Sequence, residues 1–221
     1  MFKQIFELFK TNSLYDKALK ECHEMLDIDL VMYKFSIDSL RKSETAELPM
    51  DLYEMDKKIN EFERDVRRKV MTHLAISGTS DLGSGLVLVS VVIDIERIGD
   101  YTKNIYDMAR NHPAKLIGGS IEKQIQSIEK NVTFIFENGI KAFKNQNIVL
   151  ARKLMQTYKK EVSSLCDEVT HNIISGQLTD LTPDQSASLA LYSRYMKRIA
   201  AHSRNLISSI VNPFERIGYP E

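Results

Sequence analysis

A chain of 221 residues, 43% of them hydrophobic, is long enough to bury a sizeable core in one large domain or two smaller ones. Its 30 Lys and Arg balance its 30 Asp and Glu and are mixed along every segment, which argues against electrostatic capture of nucleic acid or of an anionic membrane. With only 9 Gly, 5 Pro and no Trp, the chain lacks the turn chemistry of a sandwich or barrel, leaving long helices as the expected element.

In chain order, Phe2, Ile5, Phe6 and Phe9 form a helical stripe, and an N-terminal amphipathic helix over residues 1–13 is expected to pack back on the protein. Lys3, Glu7 and Lys10 interrupt it too early for a secretory signal. The longest charge-free stretch, Leu82 to Ile93, is far shorter than a membrane span, so a cytoplasmic protein is expected. Ser13 with Asp16 reads as a capping box that opens a helix to about Lys42, with Leu19, Cys22, Leu26, Leu30, Tyr33, Ile37 and Leu40 inward. After a connection containing Pro49, a second helix takes Asp51 to about Ile76, its seam being Leu52, Met55, Ile59, Phe62, Val66 and Val70. A polar row of Asp56, Asn60, Glu63 and Arg67 flanks that seam. Ser77 to Ser84 is a turn. The third helix begins with Leu86 to Ile93, apolar nearly all round and so expected to be deeply buried, and continues with Val91, Ile95, Ile98, Thr102, Ile105 and Ala109 as its seam. Glu96 and Asp100, with Asn104 and Asp107 close to the same line, fall roughly opposite, on the expected wet face.

His112-Pro113 and Gly118-Gly119 end this half, and the pattern restarts with helices over roughly 120–144, 147–175 and 182–210, Pro183 sitting in the first turn of the last. Shifting the third-helix seam, with Leu88 ahead of Val91, by 101 positions lands on Leu189, Tyr192, Met196, Ile199, Ser203, Leu206 and Ile210, and shifting the second-helix seam by 103 lands on Met155, Tyr158, Val162, Leu165, Val169 and Ile173. Every apolar position stays apolar and the hydroxyl stays a hydroxyl, the signature of an internal repeat. The expected fold is therefore all-α, a tandem of two antiparallel three-helix bundles built from six long helices. Its divisions are 14–115 and 116–212, with a tail over 213–221.

The second copy keeps the register and loses the acids: Glu96 and Asp100 become Lys197 and Ala201, while Asp56, Asn60 and Glu63 become Lys159, Ser163 and Cys166. Carboxylates at such spacing are most simply a solvated face paired with Arg67, Arg97 and Lys103. Elsewhere the chemistry is sparse. Glu168 and His171 make one Glu-x-x-His where a di-iron bundle needs two, His23, His73 and His112 have no ligand-spaced partner, and Gly78 to Gly85 follows a helix, not the strand a phosphate loop requires. Cys22 and Cys166 sit singly in amphipathic patterns, as buried small residues do.

The segment I-D-I-E-R-I-G-D-Y-T-K-N-I, Ile93 to Ile105, resembles the signature of the PhoU family, which typically reads L-E-R-I-G-D-H-A-x-N-I-A. Met55 to Glu63 resembles that family's second-helix segment, and Tyr195 to Leu206 its second, degenerate copy; F-E-R-I-G at Phe214 to Gly218 lacks the Asp and is read as coincidence. The resemblance implies a tandem PhoU fold and a non-catalytic adaptor that regulates phosphate transport and phosphate-dependent signalling. Its implied partners are a phosphate transporter component and a sensor histidine kinase, with membrane association only through them and homodimerisation left open. It also implies metal binding at Glu96 and Asp100, with Asp56 and Glu63 as neighbours, at one site at most, because the second copy lacks the carboxylates at the matching positions. Oxygen donors on two adjacent helices with no His or Cys favour Mg, Mn or Fe over Zn. Tyr101 departs from the family's His, although His202 holds that place in the second copy. The alternatives are an accessory protein of a phosphate permease, a helical carboxylate metalloenzyme, and a plain scaffold.

Overall fold

In the computed structural model the described residues, 13–44, 49–112 and 114–220, fold into seven helices with no strand among them. The amphipathic stripe expected over residues 1–13 lies outside the described residues apart from Ser13. Helix α1 (Leu14–Lys42) starts where Ser13 accepts from the Asp16 amide while the Asp16 carboxylate accepts from the Ser13 amide, satisfying two donors that a helix start otherwise leaves bare. Helix α2 (Leu52–Ser77) is capped by Asp51 and ends at Gly78, whose φ of 71° takes the chain into the short turn before α3 (Leu82–Asn111). The connector after α3 is pinned rather than loose: Leu116 is fully buried, its amide donates to the Leu40 carbonyl, and its own carbonyl accepts from Arg41.

Helix α4 (Glu122–Lys144) opens the second half. The single helix expected next is two, α5 (Ile148–Tyr158) and α6 (Ser164–Ile174), joined by a π-helical turn over Lys159–Ser163. The buried positions here include Leu154, Tyr158, Val162 and Cys166, successive steps of four, and at about 100° per residue an ordinary helix would rotate such a series off its face by about 40° per step. A turn closed by i→i+5 bonds absorbs that drift and keeps all four inward. Helix α7 (Pro183–Ser208) begins with a Thr182–Gln185 capping box and Pro183 in its first turn, as expected.

Helix α3 packs against α1, α2 and α7, and α7 against α3, α4, α5 and α6, so two pseudo-equivalent helices make a spine through the molecule. Both seams that define the repeat are buried, Val91 through Ala109 and Leu189 through Ile210. One expectation fails. Leu86 and Ile93 are exposed, although among the described residues α3 packs against α1, α2 and α7. Cys22 and Cys166 are buried and free, and Glu168 and His171 are exposed.

Candidate metal centre of the first repeat

The acids lie where the three helices of the first repeat converge. Helix α2 presents Asp56, Asn60, Glu63 and Arg67, one per turn, and α3 presents Glu96, Asp100 and Lys103 along the facing flank. They are not on the wet face that the helical wheel suggested. The Asp56, Glu63 and Glu96 side chains retain only 12–14% of their exposure, because α2 closes over the flank of α3 that an isolated helix would show to water. The ion pairs expected of a plain polar face are also present. Lys103 Nζ sits 2.7 Å from Asp56 and 3.4 Å from Asp100, Arg97 lies 2.9 Å from Asp100 and 3.4 Å from Glu96, and Arg67 lies 2.8 Å from Glu63. Asn60 donates to Asp56 at 3.3 Å.

Those cations do not neutralise the pocket, because a fifth carboxylate joins it from α1. Asp29 is completely buried, neither of its oxygens has a hydrogen-bond partner, and the charges it feels are Asp56, Glu96 and Asp100. A Cβ on Gly99 would stand 2.8 Å from Asp29 Oδ1 and 3.2 Å from Ile59 Cδ1, so the glycine of the E-R-I-G-D segment is what lets the carboxylate approach the α3 backbone. Burial, and then those three acids, hold the Asp29 carboxyl well above the usual carboxylate range. Glu96 is pushed up to about 7 by burial and by Asp100, with Glu63 and Asp56 adding and Arg97 opposing. Burial works to lower Lys103, but its bonds to Asp56 and Asp100 win and its pKa is raised. Five carboxyl groups thus meet three cations, and the raised pKa values of Asp29 and Glu96 mean that protons make up part of the difference when no cation is bound.

Asp29 lies outside the site expected from the sequence: a seam through Leu30 and Ile37, both only half-buried, passes it by, whereas the buried line runs Cys22, Asp29, Ser36 at heptad steps. An acid in a heptad core position was the available signal. Among the described residues no three His, Cys, Asp or Glu side chains stand ready as a cage. A cation would have to take the place of the Lys103 ammonium between Asp56 and Asp100. The donor set nevertheless fits one: every ligand is oxygen, two oxygens of a buried carboxylate are unengaged, and hard cations of the Mg or Mn kind take such a set. In the second copy the place of Glu96 is held by Lys197, bound to Asp167 at 2.6 Å, a neutral pair with nothing left over.

A second polar cluster joins the repeats. Asp94, buried on α3, accepts from Asn205 at 2.9 Å and lies 2.7 Å from His202 Nδ1. His202 in turn stacks on Tyr101 with ring centroids 5.8 Å apart, and Arg198 donates to the Tyr101 hydroxyl at 3.2 Å. Tyr101 and His202, equivalent under the repeat, therefore meet face to face on the spine, so the departure at Tyr101 is matched by its repeat partner.

Bundle and acid pocket together define the class: an all-helical tandem with its carboxylate cluster gathered in the first half. Residues 22–109, within the first repeat, match the model of the PhoU domain. The fold is similar to PhoU from Pseudomonas aeruginosa (TM-score 0.73, 19% identity, covering 90% of this chain and 95% of that one). It is likewise similar to the phosphate transport system regulatory protein PhoU from Streptococcus pneumoniae (TM-score 0.74, 18% identity, 89% and 93% covered). Among curated proteins, none matches in sequence.

Proposed function

We propose that this protein is a PhoU-type regulator of phosphate transport and phosphate-dependent signalling, acting as a cytoplasmic adaptor rather than a catalyst. Its partners are a phosphate transporter component and a sensor histidine kinase. The observation that carries this reading is the match of residues 22–109 to the PhoU domain, with the acid pocket of Asp56, Glu63, Glu96 and Asp100 lying inside the matched segment. Among the described residues no helix is long and apolar enough to cross a membrane, in keeping with attachment through a partner.

Within this reading the pocket binds one divalent cation. Asp56 on α2 and Glu96 and Asp100 on α3 would hold such an ion in place of Lys103 and Arg97, and releasing those two cations toward solvent would change the charge and shape of the α2/α3 surface a partner meets. The ion supplies charge neutralisation and a fixed α2–α3 spacing; the side chains supply selectivity for hard cations. The test is affinity purification of the full chain from membranes of cells grown with ample and with limiting phosphate, with metal content measured on the same sample. Recovery of a phosphate-transport component is expected. A preparation that brings down no such component under either supply refutes the proposal.

A further inference from the structure

We infer that Asp29 is the innermost ligand of the cation held between α2 and α3, reaching it from α1 past Gly99. This rests on the metal reading above and adds to it a third helix that no motif marks. Three observations support it. Asp29 occupies a core position of α1, a heptad step from Cys22 and from Ser36, where an apolar or small residue packs at no electrostatic cost. It is completely buried and neither oxygen has a partner, whereas Asp56, Glu63, Glu96 and Asp100 are all engaged by Lys or Arg. A carboxylate buried without a partner is among the costliest groups a core can hold, and a coordinated cation is one of the few things that offsets it.

The direction of the carboxylate is the third observation. The close approach of Asp29 Oδ1 to Gly99 places the group against the α3 backbone beside Asp100 and about one turn from Glu96. Asp29 therefore enters from the floor of the pocket while Asp56 comes from one wall and Glu96 and Asp100 from the other. Three helices converging on one point supply several oxygens, and water completes the six positions a Mg or Mn ion takes. The cation then ties α1 to α2 and α3, so its loss would loosen the first repeat as a whole and not only its surface.

The full chain, stripped with a chelator, is titrated with Mn²⁺ by calorimetry as wild type, as Asp29→Asn and as Glu96→Gln/Asp100→Asn. Wild type is expected to bind, the double variant to lose binding, and Asp29→Asn to bind at least tenfold more weakly. At neutral pH, Asp29→Asn without metal should melt no lower than wild type, because a neutral amide replaces an unpaired buried acid; that separates a ligand from a merely structural group. Asp29→Asn affinity within twofold of wild type, with binding abolished in Glu96→Gln/Asp100→Asn, overturns the inference and leaves the metal reading standing. If wild type takes up no Mn²⁺, both fall. Should Asp29→Asn fail to fold, Asp29→Ser is put through the same titration, with the same outcomes decisive.

Discussion

Gly99 and Gly83 lie on the same helix, and replacing each by Ala should move stability in opposite directions. An Ala in a helix gains up to about 1 kcal/mol over Gly. At Gly83 nothing stands within 4 Å of the new Cβ, so the gain is kept and Gly83→Ala should melt higher. At Gly99 the Cβ would stand 2.8 Å from Asp29 Oδ1 and 3.2 Å from Ile59 Cδ1, and both residues are fully buried with nowhere to retreat. Overpacking of a closed core costs about 1–3 kcal/mol, which outweighs the propensity gain and leaves a net loss on the order of 1 kcal/mol. For a chain of this size that lowers the melting temperature by about 2–4 °C. Differential scanning calorimetry of both variants in chelator reads the two signs. Repeating Gly99→Ala in an Asp29→Ala background isolates the cause: with the carboxylate gone, the substitution should be neutral or stabilising. A Gly99→Ala protein that melts higher than wild type, or loses as much without Asp29 as with it, refutes the packing of α1 against α3 argued above.

In chelator, stability should fall as pH rises from about 4.5 to about 7, because Glu96 is held up to about 7 when folded and the folded protein keeps a proton that the unfolded chain has released. Asp29, raised by its burial, adds to the same slope, and Glu96→Gln should flatten it in urea midpoints taken across that window. Arg41→Met leaves Glu122 and Glu129 without their shared partner and releases the Leu116 carbonyl, and should cost roughly 3 kcal/mol by denaturant unfolding. Asp94→Ala strips the buried partner from His202 and Asn205 and should cost about 1–3 kcal/mol while leaving Mn²⁺ affinity unchanged, since it belongs to the joint between repeats and not to the acid pocket. Lys103→Gln removes the ammonium that lies between Asp56 and Asp100 and should tighten Mn²⁺ binding severalfold; weaker binding would contradict the exchange of ammonium for metal.

The repeat was legible because burial writes itself into a chain as period, and the seams of α3 and α7 agree residue for residue after a fixed shift. The caps at Ser13 and Thr182 were legible for a similar reason, a local rule with a local partner. What the pattern did not reveal depends on neighbours. Leu86 and Ile93 are apolar yet exposed because, among the described residues, the helices packed on α3 leave them uncovered, and Glu96 is polar yet half-buried because α2 does cover its own side. Asp29 escaped notice for the complementary reason: two apolar lines run along α1, and choosing the one through Leu30 hid the acid on the other. The π-helical turn between α5 and α6 follows from steps of four at Leu154, Tyr158, Val162 and Cys166, which a seam drawn through Met155 and Leu165 smooths away.

The spine of α3 against α7 has a consequence for how the duplicated halves depend on each other. A cut in the connector between them would leave each fragment to expose the face along which α3 and α7 pack, so neither is a self-sufficient bead on a string. Expressed apart they should precipitate or scavenge one another; mixed, they should reconstitute a nicked whole. What began as two copies has become one object, in which the acid-free half serves as the bed on which its acidic twin is held in shape.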